Sequence, residues 1–330
     1  MARTRYATDR GLIVRMGGTM FLLGLVFTGF VIALYFVLFD YSNRGGSNSG
    51  SGGGGIIVFV VLIAVAVAFG SYYWSDKIAL RTSGARLVGP GDSRDAARLH
   101  GVVDRLCALA DMPKPRVAIA PTAMPNAFAT GRSSKVAVLC ATQGLLDKLD
   151  DNEELEGVLA HEMSHVAHKD VAVMTIASFL GIIAALLVRF AFYSELFGGG
   201  GGGRGRGGRG NQNALPVMLV VMVVGMVVYA VSFLLIRLLS RYRELSADRS
   251  GALLTGQPSK LASALVKVTG DMARIPTRDL RAAEPLNAFY FAPALSPRKG
   301  QISLSTLFST HPSLEKRLAQ LDKISKQLSS

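Results

Sequence analysis

Four long apolar runs, separated by polar stretches, dominate the chain: 17–39, 56–74, 171–193 and 215–236. Each is about as long as the roughly 20 residues a membrane-crossing helix needs, and few charges interrupt them. Arg189 lies near the end of the third run, where a long side chain can snorkel to the interface. The pattern predicts four transmembrane helices in two hairpins. The first run is longer than the apolar core of a leader peptide and a second follows at once, so an anchor is expected rather than a cleaved signal.

Between these runs the periodicities shorten. In 92–112, Val102, Val103, Leu106, Leu109 and Ala110 share one helical stripe, with His100 expected on its polar flank. PRVAIAP (115–121) and KVAVLCA (135–141) are β-branched runs bounded by Pro, Gly and Ser, and read as strands. MPNAFATGRSS (124–134) reads as a turn or a further short strand. Asp151, with Glu154 three residues on, has the form of a capping box and opens a helix over 152–168, with Leu155, Val158, Leu159, Met163 and Val166 as its apolar side. The expected fold class is α+β and mainly helical: four membrane helices plus a domain outside the membrane that contains a small β-sheet. Its expected parts are an N-terminal tail (1–16), a first hairpin (17–74), a first extramembrane segment (75–170), a second hairpin (171–239) and a second extramembrane segment (240–330).

Charge then sets an orientation. Arg3, Arg5, Arg10 and Arg15 precede the first run; Lys77, Arg81 and Arg86 follow the second; Arg241 and Arg243 follow the fourth. The positive-inside bias therefore puts both termini and both extramembrane segments in the cytoplasm of a multi-pass protein of the inner (plasma) membrane. The loop 197–213 disagrees, with Arg204, Arg206 and Arg209, and is outvoted. The net charge of +13 suits anionic lipid. The tracts 42–55 and 198–210 are Gly-rich connectors. The Arg-Gly tract belongs to a loop outside the membrane, so no nucleic-acid partner is expected. Cys107 and Cys140 form no disulfide or metal pattern.

The chain holds five histidines, and three of them fall within 161–168. His161, Glu162 and His165 read HExxH on the predicted helix. Positions i and i+4 project from one face, close enough to share an ion, and the intervening carboxylate is placed to take a proton from water. His168 is not a third ligand: seven residues of straight helix are about 10 Å, whereas zinc sits about 2 Å from each ligand atom. It is expected as a cation at the membrane interface. Asp170 looks too close in sequence to bend back. Glu244 and Asp248 stand out, four apart on one face of a helix continuing from the fourth run, which suits one carboxylate on a metal and one orienting a ligating histidine. The alternative is a solvated face in which Arg241 and Arg249 pair with the acids. KVAVLC is either an edge strand that pairs with a peptide substrate, using Val136 and Val138, or an internal core strand.

HEMSHVAHKD (161–170), RELSAD (243–248), STHPSLEKRL (309–318) and PNAF (125–128), in that spacing around a membrane hairpin, resemble the HtpX family of bacterial membrane-bound zinc metalloproteases, relatives of the CAAX prenyl proteases. The resemblance implies a zinc endopeptidase acting on misfolded or membrane proteins in quality control and stress response, with 75–170 and 240–330 as the two parts of a zincin-like protease domain. It implies one Zn2+ per chain on His161, His165 and Glu244, with Glu162 as base, Asp248 behind a ligand, His311 beside the transition state and Asn126 near the substrate. Two other readings compete. A CAAX-type prenyl-peptide protease would have more than four spans. A non-catalytic basic membrane scaffold would bind no zinc and be indifferent to Glu162→Gln.

Overall fold

The computed structural model describes residues 72–178, 214–272 and 311–330, the segment 14–26, and scattered positions at 11, between 28 and 70, and at 182. Much of the first three apolar runs, Arg189 and both glycine-rich connectors lie outside the described residues. Among the described residues one helix, Met222–Thr255, is long and apolar enough to cross a membrane, and Val14–Val26 forms a shorter apolar helix.

Two units are distinguished. One comprises Met16–Phe69 and Thr175–Ile236. Its apolar side chains Phe21, Leu25, Val223 and Val227 stand exposed, a surface suited to lipid rather than water.

The other unit comprises Met1–Arg15, Gly70–Met174 and Arg237–Ser330. Its elements are α1 (Ser75–Thr82), β1 (Arg86–Leu87), α2 (Arg94–Ala110), β2 (Arg116–Ala120), β3 (Ala127–Thr130), a 3-10 turn (Ser134–Val136), β4 (Val138–Thr142), α3 (Gln143–Lys148), α4 (Asn152–Ala167), the C-terminal part of α5 (Ala214–Thr255), α6 (Pro258–Met272) and α7 (Leu314–Ser329).

The four strands lie in the order β1-β2-β4-β3, with β2 and β4 parallel and the outer pairs antiparallel. Val138 pairs with Arg116 on one side and Thr130 on the other, so KVAVLC is internal and the edge reading fails. Val136 belongs to the 3-10 turn instead. Among the described residues the sheet's edges are β1 and β3, and β3 is the edge that meets α4, through Ala129 and Glu162. Both sheet faces are covered. Val117, Leu139 and Ala141 join the main core with α2 and α4, while Ala118, Phe128, Val138 and Cys140 pack with Ala79 of α1. Burial on both faces is why β4 reads as a continuous apolar run.

Helix α4 is started by Asp151, whose carboxylate accepts from the Glu153 N–H at 2.8 Å. The expected reciprocal half of a capping box does not form. The Glu154 carboxylate instead accepts from Ser263 and Lys267 of α6, each at 2.7 Å, because a buried carboxylate is better satisfied by a tertiary cation than by one backbone amide. His100 likewise departs from its expected polar flank: it is buried, with Nε2 2.9 Å from the Val88 carbonyl.

Two glycines let helices approach α4 closely. A Cβ on Gly157 would lie 3.2 Å from Leu261 Cα, and one on Gly251 would lie 2.9 Å from the His161 backbone nitrogen. Gly251 thus allows α5 to lie against α4 at the first histidine of the HExxH sequence.

Candidate active site

One turn of α4 separates His161 from His165, and their Nε2 atoms lie 3.3 Å apart. Glu244 enters from α5, with Oε2 3.6 Å from His161 Nε2 and Oε1 3.6 Å from His165 Nε2. One ligand atom from each of the three lies within 4.8 Å of the others. A tetrahedral ion with bonds of about 2.0–2.2 Å spaces its ligand atoms roughly 3.3–3.6 Å apart, so two imidazoles and a carboxylate are spaced as three corners of such a polyhedron, which would leave the fourth for water. The donor set fits a divalent metal.

The other ring nitrogens are engaged too. His161 Nδ1 lies 2.9 Å from Asp248 Oδ1, and His165 Nδ1 lies 2.5 Å from Asp170 Oδ2. With Nδ1 donating to a carboxylate, each ring presents the Nε2 lone pair to the shared centre. Asp248 is held in turn by Arg317 of α7, through Nη2 to Oδ1 at 2.6 Å and Nε to Oδ2 at 2.7 Å. Arg243 Nε lies 2.9 Å from Asp170 Oδ2. So Asp248 does not pair with Arg249 on a solvated face; it is fully buried, as is Arg317 at 1% exposure.

Glu162 is buried and its Oε2 accepts from the Ala129 N–H of β3 at 3.2 Å. Burial pushes its carboxyl above the ordinary glutamate range, against the opposing pull of His161 and His165. Burial disfavours the His161 imidazolium, but Asp248 and Glu244 outweigh it and raise that ring to about 9. His311, just before α7, is buried with Nδ1 3.2 Å from Glu244 Oε2. Asn126 begins the β3 edge; its N–H donates to Thr142 Oγ1 at 2.8 Å. Val138 faces the α1 side of the sheet, away from α4, and neither it nor Val136 joins the cluster. His168 is the C-cap residue of α4.

Three participants were not picked out from sequence: Asp170, Arg243 and Arg317. Asp170 does bend back, contrary to expectation. The two arginines sit inside RELSAD and STHPSLEKRL, so proximity to the acids was visible, but which arginine reaches which acid depends on helix packing. Removing Arg317 should be costly. Arg317→Met keeps length and apolar stem but leaves the Asp248 carboxylate buried without its cation, which typically costs about 3–5 kcal/mol. Chemical denaturation of the metal-free protein in detergent should show that loss; unchanged stability would mean that water replaces the guanidinium.

Comparison with known proteins agrees with this geometry. Residues 93–325 match Peptidase family M48. The chain is 56% identical over 327 residues to Protease HtpX homolog 1 of Streptomyces coelicolor, covering 99% of this chain and 97% of that protein. It is 47% identical to the Protease HtpX homolog of Moorella thermoacetica, covering 99% and 98%. The crystal structure of S. mikatae Ste24p has a similar fold, with a TM-score of 0.50 at 16% identity, covering 95% of this chain and 67% of that one. A full-length match to proteases and a metal-ready HExxH centre lead to one assignment: this membrane-bound metalloprotease belongs to peptidase family M48.

Proposed function

We propose that the chain is a zinc endopeptidase that hydrolyses peptide bonds of misfolded or membrane proteins, as part of protein quality control under stress. His161, His165 and Glu244 hold one Zn2+. The observation that carries this reading is the spacing of the two Nε2 atoms and the Glu244 carboxylate, with each ring fixed from behind by an aspartate. Charge supports it. Glu162, Glu244, Asp170 and Asp248 are buried carboxylates, and Arg243 and Arg317 compensate only two of them. The ion-pair contacts of Glu244 are all to histidine rings, and a divalent cation bound there would offset its buried charge. Nitrogen and oxygen donors in a four-coordinate arrangement favour zinc.

Bound zinc would acidify an attacking water and polarise the scissile carbonyl. Glu162, steadied by the Ala129 N–H and made more basic by burial, takes the proton from that water and delivers it to the leaving amine. His311 donates a hydrogen bond to the developing oxyanion. The substrate lies extended along β3. Asn126 and Thr142 form a hydrogen-bonded pair through Thr142 N–H to the Asn126 carbonyl at 2.9 Å. By the alternation of an antiparallel ladder, the main-chain groups of Ala127 and Ala129 therefore point away from β4: the Ala129 N–H is taken by Glu162, and the Ala127 N–H and the two carbonyls lie along the edge a peptide can join. Main-chain pairing ignores side-chain identity and suits a broad substrate range. The two protease segments face the cytoplasm of a multi-pass inner-membrane protein, following the Lys and Arg bias of the loops. The prenyl-peptide and scaffold readings are not favoured: the chain matches HtpX homologues along nearly its whole length.

Elemental analysis of detergent-purified protein tests the proposal. One zinc per chain is expected. Chelation should remove zinc and casein cleavage together, and zinc should restore both. Undiminished cleavage by the metal-free chain would end this reading.

A further inference from the structure

We propose that Asp170 and Arg243 are a positioning pair that fixes His165 as the second metal ligand, and that the left-handed turn at Lys169 brings the carboxylate back to that ring. This rests on the metal reading above and deepens it.

Helix α4 ends at Ala167, and helical structure resumes at residue 170. The reversal is made in two residues. His168 N–H donates to the Ser164 carbonyl at 2.9 Å, Lys169 N–H to Val166 at 3.2 Å, and Ala172 N–H to Lys169 at 3.0 Å. Lys169 has φ of 56°, a left-handed conformation that is unfavourable for a residue with a Cβ. A turn that fixes such a residue between hydrogen bonds is held by its surroundings. It delivers the Asp170 carboxylate to His165 Nδ1 at 2.5 Å, five residues after the histidine and only 2% exposed. Helix continuation would have carried it past the ring.

Arg243 meets the same carboxylate oxygen at 2.9 Å from α5, one residue before Glu244. The guanidinium and the carboxylate form an ion pair between two largely buried side chains, 13% and 3% exposed. The result is a clamp. Asp170 accepts the Nδ1 proton, so Nε2 faces Glu244, and Arg243 ties that aspartate to the helix that supplies the third ligand. His161 has its own clamp of different origin, with the aspartate from α5 and the arginine from α7. Each ligand ring is thus fixed by an aspartate–arginine pair, and the two pairs bind α4, α5 and α7 into one frame around the ion.

The test uses full-length protein in detergent, stripped and reloaded with cobalt or zinc. Asp170→Asn keeps shape and one acceptor; Asp170→Ala removes the partner; Arg243→Met removes the cation. Loss of a ligand's orienting partner costs about 10–100-fold in metal affinity. Asp170→Ala is expected to fall in that range, with Asp170→Asn and Arg243→Met losing less. The visible spectrum of bound cobalt should shift in all three, a change that a purely structural role would not produce. Should Asp170→Ala fail to fold, Asp170→Asn and Arg243→Met still decide. Parental affinity and spectrum in these variants would overturn the positioning role while leaving the metal site standing. A parent chain that binds no cobalt would overturn both.

Discussion

Glu162→Gln is expected to keep the full complement of metal and to lose proteolysis. The exchange preserves side-chain length and leaves an oxygen that can still accept from Ala129 N–H, so the β3 edge and α4 keep their contact. None of His161, His165 or Glu244 is touched. What disappears is basicity: an amide cannot take the proton from attacking water or return one to the leaving amine. General acid–base catalysis contributes roughly 10²–10⁴-fold, or about 3–5 kcal/mol of transition-state stabilisation. Burial raises the pKa of the Glu162 carboxyl, which brings its proton affinity nearer working pH and makes the loss fall toward the upper end. Casein cleavage and elemental analysis on one preparation check this. Cleavage at the parental rate would remove Glu162 from the chemistry, and loss of the metal would make it part of the binding site instead.

The parts legible in the sequence are those set by short-range periodicity. The HExxH pair on α4 and the Glu244–Asp248 spacing on α5 are i, i+4 relations, and a helix places such residues on one face whatever surrounds it. The strand at 116–120 and the helices over 94–110 and 152–167 follow from local pattern within a few residues. Sheet order was not legible. Whether KVAVLC is central or at an edge depends on which strand pairs with its far side, and β2 and β3 are both candidates that its own residues do not distinguish. Asp170 was misjudged because the turn that returns it rests on a lysine with positive φ, where a glycine would have signalled it. His100 and Glu154 look like surface residues until Val88, Ser263 and Lys267 are brought to them. Nothing in the local pattern around Arg317 marks it as buried; only its pairing with Asp248 makes its burial tolerable.

Glu244→Ala is expected to abolish stoichiometric metal binding, and activity with it. In the proposed site two imidazoles on one helical turn would supply two of the three protein ligands, and the third would arrive through the packing of α5 on α4 at Gly251. Removing a ligand outright must cost more than the about 10–100-fold attributed to an orienting partner, so the variant should lose metal during purification where Asp170→Asn retains some. The fold should survive. In the metal-free chain the Glu244 carboxylate lies between His161, His165 and His311, and its removal leaves the ion pairs Arg243–Asp170 and Arg317–Asp248 intact, so both aspartates keep their arginines. Elemental analysis paired with a thermal melt separates the two effects. Native-like melting with less than stoichiometric metal is the expected result. One tightly held ion in Glu244→Ala would transfer the third position to another side chain, and His311, 3.2 Å from the carboxylate that was removed, would be the first to replace.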